Sequence, residues 1–217
     1  YKCGGLFSDE QADAFRKLAW EAIVYADIME KALWRVRPYE TVKGATDKVF
    51  AQSMKWGVEA TKDGGGMKLL KAARRAAAAF SDIEQHPGVK PLIGIVGEIY
   101  VRTHKESNQE LVRTLESMGC ETYTSSVSEW IEYTTHTGLT DAQNLFRAEK
   151  TLKNLGSYAN FWATGKFQRM VTWLLSRPFA NLLANRFDHD TGHLLDLVEG
   201  IFSNHINGEA KIGRAHV

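Results

Sequence analysis

The sequence predicts an α/β protein, a helical N-terminal layer followed by an incomplete Rossmann-like parallel sheet with helices. Three observations carry that prediction. Behind Ser8, apolar side chains recur at helical spacing through Phe15, Leu18, Ala19, Ala22, Ile23, Ala26, Met29, Leu33 and Val36. The pattern changes at Pro87-Gly88, after which Leu92-Ile-Gly-Ile-Val96 is a short, β-branched apolar run. A helix-period segment, Leu111, Val112, Leu115 and Met118, then separates that run from a second strand at about Glu121 to Val127. Strand, helix and strand in that order make a parallel crossover.

Each element has a local reason. Ser8 and Gln11 form a capping box, and the first helix ends before Pro38. Thr46 is placed to cap a second helix carrying Val49, Phe50, Met54 and Val58, which Gly64-Gly-Gly66 stops. A third helix runs from about Met67 to Gln85 through Ala76 to Ala79, where small side chains either permit close backbone approach or simply favour the helix. The Leu92 to Val96 run reads as a strand buried on both faces, followed by a polar, irregular stretch from Glu98 to Asn108. Gly119 closes the next helix at its C′ position. From Glu129 the pattern is helical again, aromatic-rich between Tyr158 and Leu175 and broken at Arg177-Pro178; a short helix capped by Thr191 then reaches about Phe202. The expected organisation is a helical segment at 1–87, an α/β segment at 88–212 and a tail at 213–217 that continues no periodicity and is expected to be non-native. Beginning at Tyr1, the sequence reads as a partial chain.

Composition narrows the function classes. With 217 residues and 44% hydrophobic side chains, the chain can bury an ordinary core. Its 27 basic and 26 acidic side chains leave a net charge of +1, so no long-range field draws it to nucleic acid or an anionic membrane, and neither is expected as a partner. Two cysteines, Cys3 and Cys120, are too few for a disulfide framework and point to a reducing, cytoplasmic location. No apolar run approaches the roughly 20 residues that span a bilayer, and the N-terminus lacks a signal-peptide pattern.

Candidate chemistry gathers after the two strands, because ligands of open α/β sheets bind beyond the strands' carboxyl ends. Gly97 to Arg102 follows the first strand and Ser126 to Trp130 follows the second. Gly97 suits a turn of positive φ, Arg102 could pair with a carboxylate or phosphate, and Tyr100 and Trp130 could form an aromatic wall beside Ser128 and Glu129. The alternative is an ordinary Glu98–Arg102 ion pair, with Trp130 starting a packed helix. No GxGxxG or Walker sequence is present. His189 and His193 are four apart, but Thr191 and Gly192 put His189 outside a helix face, and no third ligand is near. Cys120 reads as a small buried hydrophobe, whereas Cys3, beside Gly4-Gly5, remains a candidate metal ligand. Lys68, Lys71, Arg74 and Arg75 read as a solvated basic edge, and the aromatic helices as core or as a subunit interface in a possible oligomer.

Pro91-Leu-Ile-Gly-Ile-Val-Gly-Glu-Ile-Tyr-Val-Arg102, with Leu111 to Leu115, Met118-Gly119 and Ser128 to Ile131, resembles the 2-hydroxyacyl-CoA dehydratase superfamily, most of all its large activase-related proteins (CoA enzyme activases). Leu18 to Ile23, Arg37 to Glu40, Gly44 to Asp47 and Gly208 to Ala210 extend the resemblance over most of the chain. It implies an iron–sulfur system of anaerobic metabolism in which an ATP-hydrolysing activator domain or subunit drives a low-potential electron toward an acyl-CoA-type substrate, as a lyase or its activating reductase. It also implies a [4Fe-4S] cluster, with most ligands outside this chain, since no Pro-Cys-Arg motif occurs here. Arg102 would then anchor an anion and Glu98 would orient it or carry a proton. A noncatalytic scaffold or subunit-interaction domain, or a small-ligand binding module using the same crevice, are the alternatives from other classes.

Overall fold

A computed structural model of the chain describes residues 9–183. They are mostly helical with one two-stranded parallel sheet, so the protein is mixed α/β. Two compact units divide the described residues, one formed up to His86 together with Val171–Leu182, the other by Pro87–Met170. No helix among the described residues is long and apolar enough to cross a membrane. The expected helix capped by Thr191 and the 213–217 tail lie outside them.

In the first unit, α1 (Asp9–Val36) is the long amphipathic helix expected. Met29, Leu33 and Val36 are buried as expected, but toward the N-terminal end the buried stripe is rotated: Trp20, Val24, Tyr25 and Ile28 are inside, and Phe15 is exposed. The large side chains Trp20 and Tyr25 decide the inward face, displacing the alanines that match the same period. A single 3₁₀ turn, Arg37–Tyr39, carries Pro38 at its start, where the missing N–H costs no hydrogen bond.

Helix α2 (Ala45–Lys62) begins differently from expectation. Its N-cap is Gly44, and the Glu40 carboxylate receives the N–H groups of Gly44 at 2.6 Å and Thr46 at 2.8 Å. A carboxylate satisfies two orphan donors and meets the positive end of the helix dipole, so it outcompetes the Thr46 hydroxyl. That hydroxyl is buried without a hydrogen-bond partner. Arg37 reaches Asp47 in the first turn at 3.1 Å.

The ring of Tyr25 lies flat against Gly57, where any Cβ would collide with it, and burial pushes the Tyr25 phenol above its ordinary range. Its hydroxyl donates to the Ser53 carbonyl at 2.7 Å. Between α2 and α3 (Met67–Ser81), Gly65 sits at φ +69 under Leu18 and Glu21, a position that only glycine fills without strain. Close packing is what the alanine run in α3 serves: Ala72, Ala73, Ala76 and Ala77 are buried, and Phe80 meets Phe179 edge-to-face at 6.4 Å. The helix stops at Ser81, four residues earlier than its sequence suggested. Lys68, Lys71, Arg74 and Arg75 lie on its exposed side, with the Arg75 guanidinium stacked 3.8 Å over Trp56.

In the second unit, β1 (Leu92–Ile95) pairs in parallel with β2 (Glu121–Thr124), in register from Leu92↔Glu121 to Ile95↔Thr124. Burial on both faces fails for β1. Leu92 is 41% exposed and Ile93 36%, and only Ile95 is buried, because β2 is its one neighbour among the described residues. The polar stretch after β1 is not irregular throughout, since it contains α4 (Ile99–Thr103). Then come α5 (Leu111–Ser117), closed by Gly119 at φ +88, and the longer helices α6 (Val127–Ala148) and α7 (Leu152–Ser176). The expected break at Arg177-Pro178 is a 3₁₀ turn, Arg177–Phe179, which belongs to the first unit.

Gly57→Ala should destabilise the chain by about 1–3 kcal/mol through overpacking against Tyr25. The check is a lower urea midpoint; an unchanged midpoint would show that the ring moves aside freely.

Candidate functional site

The carboxyl edge of the sheet is lined by buried polar side chains. Thr124, Ser125, Ser126, Ser128 and Glu129 after β2, and Arg102 after β1, are all buried. Pairing of Ile95 with Thr124 puts Gly97 and Ser126 each two residues beyond that pair, at the ends of neighbouring strands. The Thr124 hydroxyl donates to the Ile95 carbonyl at 3.3 Å and ties the two ends together.

Arg102 is the unusual group. It is 5% exposed, its Nη1 donates to the Gly97 carbonyl at 3.1 Å, and its buried Nε–H has no hydrogen-bond partner. An arginine does not shed its charge, and a buried charge with one carbonyl for a partner costs several kcal/mol relative to a paired one. No carboxylate among the described residues meets it. The Glu98–Arg102 ion pair allowed by sequence spacing is absent: Glu98 is exposed, and its carboxylate accepts the Val101 N–H at 2.9 Å as the N-cap of α4.

Gly97 turns the chain at φ +138, as its position after a strand suggested. Tyr100 is 59% exposed and stacks on His104 at 4.8 Å between ring centroids, while Trp130 is 38% exposed near the start of α6. Each ring borders solvent. Ser126, two residues before Ser128, caps α6, its hydroxyl accepting the Glu129 N–H at 3.4 Å and lying 3.1 Å from the Ser128 hydroxyl.

Two functional neighbours escaped sequence reading. The Tyr123 hydroxyl donates to both oxygens of the buried Glu129 carboxylate, at 3.0 and 3.1 Å. All four residues of β2 are buried, so no alternation marked Tyr123 as facing Glu129. Asn108 was the other. Its side chain joins the Arg102 carbonyl to the start of α5, and a lone asparagine in a polar loop carries no signal for that. The capping role of Ser126 was legible, because Ser126-Val-Ser-Glu129 has the spacing of a capping box; Glu129 turns to Tyr123 instead of completing that box.

Elsewhere the cavities offer less. An apolar groove of about 280 Å³ runs between α1 and α2 past Tyr25, Met54 and Gly57, and the Thr61 hydroxyl on its wall is bonded to the Gly57 carbonyl. It lacks the converging polar groups that orient a ligand. A cleft of about 30 Å³ beside His136 and Gln168 has room for little more than water.

The [4Fe-4S] cluster implied by resemblance does not fit the residues present. Such a cluster takes four thiolates as a rule, and the chain has two cysteines. Cys120 is half-buried as a free thiol at the start of β2, and no group of three or more metal-ligating side chains occurs among the described residues. Cys3, His189, His193 and Gly208 to Ala210 lie outside them. Family models, curated proteins and solved structures all give no match to this chain.

Tyr123→Phe removes the phenol that donates to Glu129. A hydrogen bond to a buried charge contributes roughly 1.5–3 kcal/mol, and the variant should lose about that much stability in chemical denaturation at neutral pH.

Proposed function

We propose that the chain supplies the substrate-side cleft of a protein of the 2-hydroxyacyl-CoA dehydratase and activase-related kind, in which ATP-driven, low-potential electron transfer serves an acyl-CoA-type substrate. Arg102 anchors an anionic group of that substrate, a phosphate or carboxylate, and Ser126, Ser128 and Glu129 form the polar wall beside it. The sheet belongs to a Rossmann-like domain, with β1 and β2 as two neighbouring strands. What supports this reading is the buried Arg102 guanidinium with an unfilled Nε–H donor, at the edge where open α/β sheets bind their ligands. An oxyanion at this edge would supply the guanidinium with a counter-charge, and would reach the Nε–H only after local rearrangement, because that atom is closed to solvent. Glu98 acts on Arg102 indirectly, by capping the helix that carries it. No role falls to an iron–sulfur cluster held by the described residues.

A second reading has its own observation. Leu92, Ile93, Val96 and Met118 are exposed on the same unit, Val96 at 64% and Met118 at 72%. An apolar surface of that kind suits a scaffold or subunit-interaction domain that another protein part covers.

Calorimetric titration of the full chain with acetyl-coenzyme A separates the two. The first reading expects saturable binding that Arg102→Ala weakens by about tenfold to a hundredfold, the loss of one or two charge-assisted bonds. Glu98→Ala should weaken it less, and Glu98→Gln, which keeps an oxygen for Val101, least. No binding to the unaltered chain, together with a stable oligomer in sedimentation, would favour the scaffold.

A further inference from the structure

We propose that Asn108 is the positioning residue that holds Arg102 at the carboxyl edge of the sheet, an inference that rests on the anchoring role given to Arg102. α4 has five residues, too few to persist on its own hydrogen bonds, so its geometry is set from its two ends. Glu98 fixes the first end. At the second, the Arg102 carbonyl is one of the acceptors a helix leaves without an internal partner, and the Asn108 Nδ2–H donates to it at 2.9 Å. The Oδ1 of the same amide accepts the Leu111 N–H at 3.2 Å, an orphan donor of the first turn of α5. One side chain thus ties the residue bearing the buried guanidinium to the helix that packs on β2.

The backbone between these contacts is strained. Gln109 and Glu110 have φ of +55 and +54, a left-handed conformation rarely adopted by side chains of their kind. The bond from Asn108 to Leu111 spans that pair, and two further bonds brace it: Asn108 N–H to the His104 carbonyl at 3.1 Å and Glu110 N–H to the Lys105 carbonyl at 2.9 Å. His104 is fixed in turn by the Ser107 hydroxyl, 2.8 Å from its Nδ1. Strain of this sort persists only where surrounding bonds over-determine it, and of the bonds here the one from the Asn108 side chain reaches the carbonyl of Arg102.

The amide is needed for both of its ends. A carboxylate at position 108 keeps the acceptor for Leu111 but presents a second acceptor to the Arg102 carbonyl and repels it. Alanine removes both bonds. In either variant α4 loses its distal tether, and the guanidinium loses its fixed approach to Gly97.

The test uses the full chain, labelled with ¹⁵N, and reads the Nε–H resonance of Arg102, assigned by its disappearance in Arg102→Lys. In the unaltered chain this resonance should exchange slowly with solvent, since Nε is buried. Asn108→Ala and Asn108→Asp should shift it, speed its exchange, and weaken acetyl-coenzyme A binding by roughly tenfold, as expected when a binding group is displaced by a fraction of an ångström. Acidification until the introduced carboxyl is protonated, near pH 4 for an ordinary aspartate, restores an O–H donor. Asn108→Asp, but not Asn108→Ala, should then return toward the wild-type resonance measured at the same pH. That recovery would not follow from a merely structural role. An Arg102 resonance unchanged in both variants overturns the inference, whatever happens to binding. Should Asn108→Ala fail to fold, the acid titration of Asn108→Asp decides alone, and a resonance that does not follow pH overturns it. Failure of the unaltered chain to bind acetyl-coenzyme A refutes the anchoring role and leaves the resonance test standing.

Discussion

The second unit carries one marked electrostatic constraint: a permanent cation, Arg102, largely buried at the end of a two-stranded sheet. A guanidinium so placed must be surrounded by acceptors or left waiting for one. Among the described residues, the Gly97 carbonyl is the one hydrogen-bond acceptor it meets. That carbonyl is available because Gly97 turns the chain away from the pairing that Ile95 makes with β2, leaving its oxygen at the strand's open end. The polar residues following β2 belong to the same edge, so the register between two short strands decides which side chains share it.

Much of this organisation was legible in the sequence, and the misses share a physical cause. Helices α1 to α3 and the order β1, α5, β2 followed from periodicity and glycine punctuation, signals that depend on neighbours in sequence. The buried face of α1 followed at Met29, Leu33 and Val36 but not in its N-terminal half, where alanines and larger apolar residues share the 3.6-residue period and volume chooses between them. β1 was misread for a related reason. A β-branched run looks the same whether other elements cover its faces or not, and coverage is a property of the partners.

Within the site, Gly97, Arg102, Ser128 and Glu129 stood out because their chemistry is visible residue by residue. Tyr123 and Asn108 did not, since each acts through a contact that exists only after folding. Tyr123 reaches Glu129 across the turn from β2 into α6, and Asn108 bridges two helices through one amide. The sequence allowed an ion pair between Glu98 and Arg102 at the spacing of one helical turn. Folding places one at the N-cap and the other in the last turn of the same short helix, and the carboxylate goes to the nearer backbone donor.

That outcome recurs at two other glutamates, although Asp47 does pair with Arg37. Glu21 receives the Gly66 N–H, Glu40 those of Gly44 and Thr46, and Glu98 that of Val101. Each carboxylate closes a helix start or a turn in preference to pairing with a cation. The energetics favour this choice. An exposed ion pair contributes about 0–1 kcal/mol, whereas an orphan N–H at a helix start already carries partial positive charge and needs an acceptor nearby. A carboxylate committed to backbone is withdrawn from the neighbouring arginine. Among the described residues Arg102 is therefore left without a counter-ion by the same physics that builds α4, and the helix cap and the unpaired guanidinium are two results of one assignment of Glu98.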